Sequence, residues 1–219
     1  MIAANIQKIN QEIGNKTRLI AVSKTKPAEL VLEAYNANQR IFGENKVQEM
    51  LAKYESLPKD IEWHLIGHLQ SNKVKYIAPF VSMIHSVDSL KLLMSIEKEA
   101  AKCNRIIPCL LQIFIAKEET KFGLNRSELY EILDQLKLNP LPHIQICGLM
   151  GMASNTNDEN QIRNEFSGLN LLFNEVKSAY FNEIPSFCEL SMGMSHDYLI
   201  AVEEGSTLIR VGSLIFGTR

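Results

Sequence analysis

The sequence predicts an α/β fold, a (β/α)8 TIM barrel with an extra N-terminal helix. About eight short apolar runs alternate with helix-like stretches along the 219 residues, and this alternation is typical of parallel βαβ units. No linker rich in Gly, Ser or Pro interrupts them, so a single domain over residues 1–219 is expected. A doubly wound open sheet is the alternative, but it usually has a glycine-rich turn after its first strand. The turn over residues 23–27 contains no glycine.

The individual elements are predicted from residue spacing. Isoleucines at helical spacing over residues 1–13 predict an amphipathic first helix. Pro27 is expected in the first turn of the next helix, Asp88 is expected to cap a helix that runs to Ala101, and a long helix is expected over about residues 157–180. The predicted strands are short apolar runs at residues 19–23, 41–43, 63–67, 83–87, 109–115, 144–149, 187–191 and 207–211.

Composition and charge exclude several classes of protein. Hydrophobic residues make up 46% of the chain and the formal net charge is −2, which excludes a mainly disordered protein. The chain has no basic block for nucleic acid and no apolar run near the roughly 20 residues of a membrane span. Its start lacks the apolar stretch of a secretory signal, and its four cysteines form no CxxC pair. A cytoplasmic protein with reduced thiols is expected, without membrane or nucleic-acid partners.

Lys24 is the first candidate for chemistry. It directly follows the first predicted strand, and a barrel carries its chemistry at the C-terminal ends of its strands. If Ile20 and Val22 point inward, alternation sends Lys24 inward as well. A neutral lysine amine there can form a Schiff base with a carbonyl compound. A solvated lysine at a strand end is the alternative, and Lys26 is a second candidate for the same role.

The C-terminal segment is the second candidate region. Ser195 and Ser213 each precede what reads as a short helix, and Gly212 allows close approach of a ligand to the backbone. Loops after the last two strands of a barrel often bind phosphate in this way. Ordinary helix caps and turn glycines are the alternative interpretation. Arg210 lies within the last predicted strand, where a buried guanidinium needs a partner such as a carboxylate.

The two regions together narrow the class of ligand. A lysine after strand one and a phosphate cradle after strands seven and eight suit a phosphorylated aldehyde, and pyridoxal 5′-phosphate (PLP) is one ligand that needs both. A metal site is not expected. His64 and His68 are four residues apart, but no carboxylate or cysteine completes a ligand set around them.

The motifs closely resemble those of the pyridoxal phosphate homeostasis proteins, almost from end to end. The resemblance implies the barrel fold of the alanine racemase N-terminal domain, with PLP in Schiff-base linkage to Lys24. It also implies that Ser195 and the backbone of Gly212 and Ser213 hold the phosphate, that Arg210 faces the pyridine nitrogen and that Asn45 lies near the ring. The resembling stretches are AVSKTKP (21–27), FGEN (42–45), WHLIGHLQSNK (63–73), GLMGM (148–152), SMGMS (191–195) and the segment 205–217.

The same resemblance suggests a carrier of PLP in preference to an enzyme. Arginine does not usefully protonate the ring nitrogen, so the ring stays a weak electron sink. Racemases of this fold take a second base from an additional β domain, and this chain stops at Arg219. We therefore expect a monomer that buffers PLP and supplies it to apo-enzymes. A weak PLP-dependent amino-acid racemase, or a Schiff-base aldolase or isomerase on the same barrel, are the alternatives.

Overall fold

The computed structural model describes residues 1–117 and 122–217 of the chain. Within them, eight parallel strands close into a barrel in chain order, and β1 completes the ring by pairing with both β2 and β8. The (β/α)8 barrel predicted from the alternation is confirmed. The strands are β1 (Arg18–Val22), β2 (Ile41–Glu44), β3 (Glu62–Leu65), β4 (Met83–Val87), β5 (Ile107–Ile113), β6 (Ile144–Gly151), β7 (Glu189–Met194) and β8 (Leu208–Val211).

Helices connect the strands and cover the outside of the barrel. The first, α1, precedes β1 and is the extra N-terminal helix that the isoleucine spacing predicts. A short 3-10 turn (Ser71–Lys73) leads into the helix between β3 and β4. The helices are α1 (Ile2–Ile13), α2 (Ala28–Asn36), α3 (Val47–Ser56), α4 (Val74–Ile77), α5 (Leu90–Lys102), α6 (Arg126–Leu138), α7 (Glu159–Tyr180), α8 (Tyr198–Glu203) and α9 (Ser213–Phe216).

The core has two parts, as inward and outward alternation along each strand requires. The larger part lies between the strands and the surrounding helices and includes Trp63 and Phe166. The smaller part fills the barrel interior, so the barrel is packed and not an open pore. Its buried members are Ile20, Met83, Leu110, Cys147, Met150 and Leu208.

Several boundaries differ from the sequence-based expectations, and β5 lies at Ile107–Ile113 where residues 109–115 were expected. β7 begins at Glu189 and not at Phe187, because the Phe187 ring stacks outside the barrel on Phe173 and Phe181. Ser89 caps α5 in place of Asp88: its side chain accepts a hydrogen bond from the Leu92 N–H.

Pro27 immediately precedes α2 instead of lying in its first turn. In the described residues, no helix is both long and apolar enough to cross a membrane.

Candidate functional site

The six predicted site residues lie on four neighbouring strands of the barrel. Lys24 follows β1 and Asn45 follows β2, while the C-terminal candidates belong to β7 and β8. The ring order places β7, β8, β1 and β2 side by side. Because all strands are parallel, the ends that carry Lys24, Asn45, Ser195, Gly212 and Ser213 share one side of the barrel mouth. Arg210 lies one layer deeper, within β8.

Lys24 and Lys26 differ in what their amines contact. The Lys26 Nζ donates to the carbonyl oxygens of Phe216 and Gly217, at 3.3 and 2.9 Å, and so holds the C-terminal end of α9. Lys24 is half-buried, and its amine has no hydrogen-bond partner among the described residues. Of the two lysines, Lys24 therefore has the amine that is available to a ligand.

A hydrogen bond joins the two loops that are predicted to hold phosphate. The Gly212 N–H donates to the Ser195 Oγ at 3.3 Å, which links the loop after β7 to the end of β8. Gly212 also lies against β1: a Cβ added there would lie 2.9 Å from the Val22 carbonyl oxygen. Only a residue without a side chain fits this close approach. The geometry places the predicted anion-binding groups beside the strand that leads to Lys24.

The position of Asn45 depends on a second close approach. A Cβ at Gly67, which follows β3, would lie 2.5 Å from the Asn45 carbonyl oxygen and 2.7 Å from its Cα. A side chain at position 67 would therefore displace Asn45 from its place beside β3. Asn45 is half-buried at the rim of the barrel mouth.

Arg210 is buried inside the barrel without a salt bridge to any described residue, although a carboxylate partner was one expectation. Its guanidinium donates to the Ser191 Oγ at 2.5 Å and to the Gly151 carbonyl oxygen at 3.0 Å. Burial lowers the pKa of Arg210 to about 10, an effect that the charge of Asp197 opposes. The guanidinium is therefore still charged at neutral pH.

Two buried histidines continue the hydrogen-bonded contacts of Arg210 through Ser191 into the barrel interior. Sequence reasoning missed this chain of contacts. The His85 Nδ1 lies 2.9 Å from the Ser191 Oγ, and its Nε2 lies 2.9 Å from the His64 Nδ1. Burial lowers the pKa of His64 to about 3, and burial is also the main cause that lowers the pKa of His85. Both rings are neutral at pH 7. Strand alternation was the available signal, because it points polar residues of β3, β4 and β7 to the interior.

His64 and His68 are not brought together. His64 points into the barrel, whereas His68 stacks on Phe122 and pairs with Asp88 at 3.4 Å. Among the residues that the structure describes, no group of three His, Cys, Asp or Glu side chains is placed to hold a metal ion.

A second buried cluster that the sequence did not reveal lies behind Lys24. Glu44, at the end of β2, accepts hydrogen bonds from Ser23 and from Lys53 of α3. Its contacts are internal to the protein, between the barrel and α3, so it does not face the mouth.

The donor set fits a ligand that carries both a carbonyl group and an anionic group. The Lys24 amine, which no described residue contacts through a hydrogen bond, can condense with the carbonyl, and the Ser195 hydroxyl and the Gly212 backbone can meet the anion. The buried cation Arg210 beneath the rim suits an electron-rich ring nitrogen, which accepts a hydrogen bond.

Comparison with known proteins identifies the family of this chain. The model of the family "Alanine racemase, N-terminal domain" matches residues 1–219. A pyridoxal phosphate homeostasis protein of Aquifex aeolicus is 40% identical over 222 residues, which cover 100% of this chain and 95% of the relative. One of Vibrio alginolyticus is 36% identical over 226 residues, covering 100% and 94%.

Solved structures give the same result. PipY of Synechococcus elongatus, solved with PLP bound, has a TM-score of 0.89 and 37% identity, covering 99% of this chain and 100% of PipY. The alanine racemase of Bartonella henselae has a TM-score of 0.71 at 18% identity and shows the fold alone. This chain spans 58% of it. The chain belongs to the pyridoxal phosphate homeostasis protein family, whose barrel is that of the alanine racemase N-terminal domain.

Proposed function

We propose that this protein binds PLP as a Schiff base on Lys24 and buffers the cofactor within the cell. One observation carries the proposal: the half-buried Lys24 amine, which has no partner among the described residues, lies on the same rim as the Ser195–Gly212 hydrogen bond. A relative that is 37% identical over nearly the whole chain was solved with PLP bound, and the curated relatives are named for PLP homeostasis.

The anionic end of PLP is assigned to the loops after β7 and β8. The Ser195 hydroxyl and the backbone N–H groups of Gly212 and Ser213 would hold the phosphate, and Asn45 would lie beside the ring. Support comes from the 3.3 Å bond between Ser195 and Gly212, which already draws these groups together. A phosphate would replace the Ser195 Oγ as the acceptor of the Gly212 N–H and would accept from the Ser195 hydroxyl at the same place.

Arg210 favours storage of the cofactor over turnover of amino acids. When bound, PLP supplies an aldehyde and a ring that can withdraw electrons, but withdrawal is strong only when the ring nitrogen is protonated. A guanidinium that donates to Ser191 and Gly151 and keeps its charge at pH 7 does not give up a proton to that nitrogen. Condensation with the Lys24 amine would remove the reactive aldehyde from solution and release only water, and such a condensation is reversible.

The cellular role follows from that reversibility. We propose a cytoplasmic monomer, formed by one domain over residues 1–219, which passes PLP to apo-enzymes. The support is that Lys24, Asn45 and Ser195 are all partly exposed at the rim, so water or a competing amine can reach the Schiff base.

Borohydride trapping tests the assignment of Lys24. Purified protein is incubated with PLP, reduced, digested and mapped by mass spectrometry. We expect one major adduct, on the peptide that contains Lys24, and more than tenfold less adduct in Lys24→Ala. Lys46→Ala is the matched control, because Lys46 is an exposed lysine next to Asn45, and its adduct should match that of the wild type.

Two results would contradict the proposal. An adduct that persists in Lys24→Ala and disappears in Lys26→Ala would move the attachment to Lys26. Wild-type protein that gives no adduct on either residue would reject Schiff-base binding altogether.

A further inference from the structure

A buried acid–base cluster lies behind the segment that carries Lys24. Glu44 is fully buried and Lys53 is 7% exposed. The Lys53 Nζ donates to the Glu44 Oε1 at 2.6 Å, and the Ser23 Oγ donates to the same oxygen at 2.6 Å. These three residues are called the Ser23–Glu44–Lys53 cluster below. It joins β1, β2 and α3 at the point where β1 ends.

Every polar group of Ser23 is hydrogen-bonded, and the cluster binds its hydroxyl and its carbonyl. The Lys53 Nζ also donates to the Ser23 carbonyl oxygen at 2.7 Å, and that carbonyl belongs to the peptide bond between Ser23 and Lys24. The Lys26 N–H donates to the same carbonyl, and the Ser23 N–H donates to Gly43, both at 3.0 Å. Three hydrogen bonds therefore hold the backbone of Ser23, on the N-terminal side of Lys24, and the bond from the Ser23 hydroxyl to Glu44 is a fourth.

The residue after Lys24 is anchored as well. The Thr25 N–H donates to the Glu49 Oε2 at 2.9 Å, and Thr25 has a φ of 65°, in the left-handed region that residues with a side chain seldom adopt. Lys24 thus lies between two fixed neighbours while its own amine has no partner among the described residues. The amine is oriented by its backbone and not by contacts of its own.

Stability does not explain the cluster. Burial raises the pKa of Glu44, and the hydrogen bonds from Lys53 and Ser23 oppose that rise, so the carboxylate is held at a desolvation cost. Its Oε2 is buried with no hydrogen-bond partner among the described residues. An apolar pair of similar volume at such a place is often as stable as an ion pair, or more stable. What an apolar pair cannot do is bind the Ser23 carbonyl and hydroxyl.

We infer that the Ser23–Glu44–Lys53 cluster positions Lys24, so that its amine is presented to a carbonyl group at the barrel mouth. The inference rests on the proposed function, in which Lys24 is the residue that condenses with PLP. Glu44 and Lys53 are positioning residues in this scheme, because neither faces the mouth. A displacement of about 1 Å in a reacting group can slow a reaction by about a hundredfold.

The test replaces the ion pair by an apolar pair in the double variant Glu44→Leu/Lys53→Met. A double variant is used because removing one partner would leave a buried charge unpaired. We expect the rate of Schiff-base formation with PLP, followed by the visible absorbance, to fall by about ten- to a hundredfold. The fraction of borohydride-trapped adduct that maps to Lys24 should fall with it. The midpoint of urea unfolding should fall only modestly, because removal of the buried charges offsets part of the cost of leaving the Ser23 hydroxyl without its acceptor.

A second ligand separates positioning from general damage to the site. Pyridoxamine 5′-phosphate carries an amine where PLP carries its aldehyde, so it cannot condense with Lys24. Its dissociation constant should change by less than about twofold in the double variant, a difference well below the 1.4 kcal/mol of a tenfold change. The matched control is Arg126→Met/Glu175→Leu, which removes an exposed ion pair between α6 and α7. Its rate of PLP loading should equal that of the wild type.

The outcomes are distinct. A double variant that loads PLP on Lys24 at the wild-type rate overturns the inference, and so does an equal loss of affinity for both ligands. If the double variant does not fold, Ser23→Ala decides: slower loading with unchanged pyridoxamine 5′-phosphate affinity supports the inference, and wild-type loading overturns it. Failure of the proposed function looks different, because the wild-type protein itself would then give no adduct on Lys24.

Discussion

Individual residues in the barrel interior make the stability of this protein dependent on pH. His64 and His85 are neutral in the folded chain because burial lowers both pKa values, that of His64 to about 3. An unfolded histidine has a pKa near 6.5. Below that value the unfolded chain binds protons that the folded chain does not, so stability is complete above about pH 6.5 and decreases as the pH falls toward 3.

We predict that His64→Leu makes the protein less sensitive to acid. One proton of linkage corresponds to about 1.4 kcal/mol per pH unit between roughly pH 5.5 and pH 4. The slope of the unfolding free energy against pH should decrease by about this amount, even though the loss of a partner for His85 lowers stability at pH 7. Urea unfolding at a series of pH values measures the slope.

Met83→Leu is the control for this prediction, because Met83 pairs in register with His64 and lies in the barrel interior but does not titrate. Its stability can change, but its slope should not. A His64→Leu protein with the wild-type slope would contradict the neutral state assigned to His64.

At the residue scale, the sequence predicted the rim better than what lies beneath it. Lys24 and Ser195 could be found because strand ends and motif resemblance both point to them. Glu44 stands in one of the resembling motifs, but its partner Lys53 is nine positions away on a helix surface that reads as ordinary charge. Partners that meet only after β2 and α3 pack together leave no local pattern in the sequence.

At the scale of elements, α1 holds the part of the barrel that carries the proposed phosphate loops. Its buried stripe of Ile2, Ile6, Ile9 and Ile13 packs against the barrel. Two polar contacts add to this apolar packing. The Asn5 Nδ2 donates to the Ile215 carbonyl oxygen at 3.1 Å, and the Tyr198 hydroxyl donates to the Glu12 carboxylate on the surface of α1. The helix therefore contacts both α8 and α9, which follow β7 and β8.

We predict that Ile6→Ala strongly destabilises the protein, although Ile6 lies in α1 and not at the barrel mouth. Ile6 is 3% exposed, and truncation of a buried isoleucine to alanine costs about 2–5 kcal/mol. For a chain of this size, the melting temperature should fall by about 5–15 °C. Thermal unfolding followed by circular dichroism measures the change.

The exposed neighbour Gln7 supplies the comparison. Gln7→Ala should shift the melting temperature by no more than about 2 °C, since surface substitutions usually stay within about 0.5 kcal/mol. Equal shifts in the two variants would show that α1 does not stabilise the barrel.

The ends of β7 show where the local sequence pattern no longer predicts the limits of a strand. The apolar run at residues 187–191 predicts a strand, yet Phe187 lies outside it because three aromatic rings stack there. β7 instead continues through Gly193, whose φ of 95° departs from the extended strand values that the pattern assumes. Tertiary packing decided both ends of this strand, and the sequence of β7 alone does not contain that information.

Across the whole barrel, the proposed ligand would span the seam where the ring of strands closes. The pairing of β1 with β8 joins the first strand to the last, with Ile20 opposite Arg210 and Ala21 opposite Val211. Lys24 is on one side of this seam, and Gly212 and Ser213 are on the other. A molecule bound at both ends would therefore link the two termini of the strand order and favour the closed ring.

PLP should consequently stabilise the whole barrel against unfolding. A ligand that binds only the folded state adds about 2.7 kcal/mol when its concentration is a hundred times its dissociation constant. We predict a single unfolding transition whose midpoint rises by about 5–10 °C at that concentration of PLP. Differential scanning calorimetry across a PLP titration measures this rise in the midpoint. If the protein is a monomer, the midpoint should also be independent of protein concentration.

Pyridoxal, which has the aldehyde but lacks the phosphate, distinguishes the contribution of the Lys24 side of the seam from that of the phosphate loops. It can still condense with Lys24, but it cannot join the β1 side to the Ser195 and Gly212 side, so at equal concentration its effect on the midpoint should be much smaller. Ser195→Ala should reduce the effect of PLP and leave that of pyridoxal unchanged, because the phosphate is the only part of PLP that the hydroxyl contacts in the proposed arrangement. Equal shifts with PLP and pyridoxal in the wild-type protein would mean that the loops after β7 and β8 do not hold the anion.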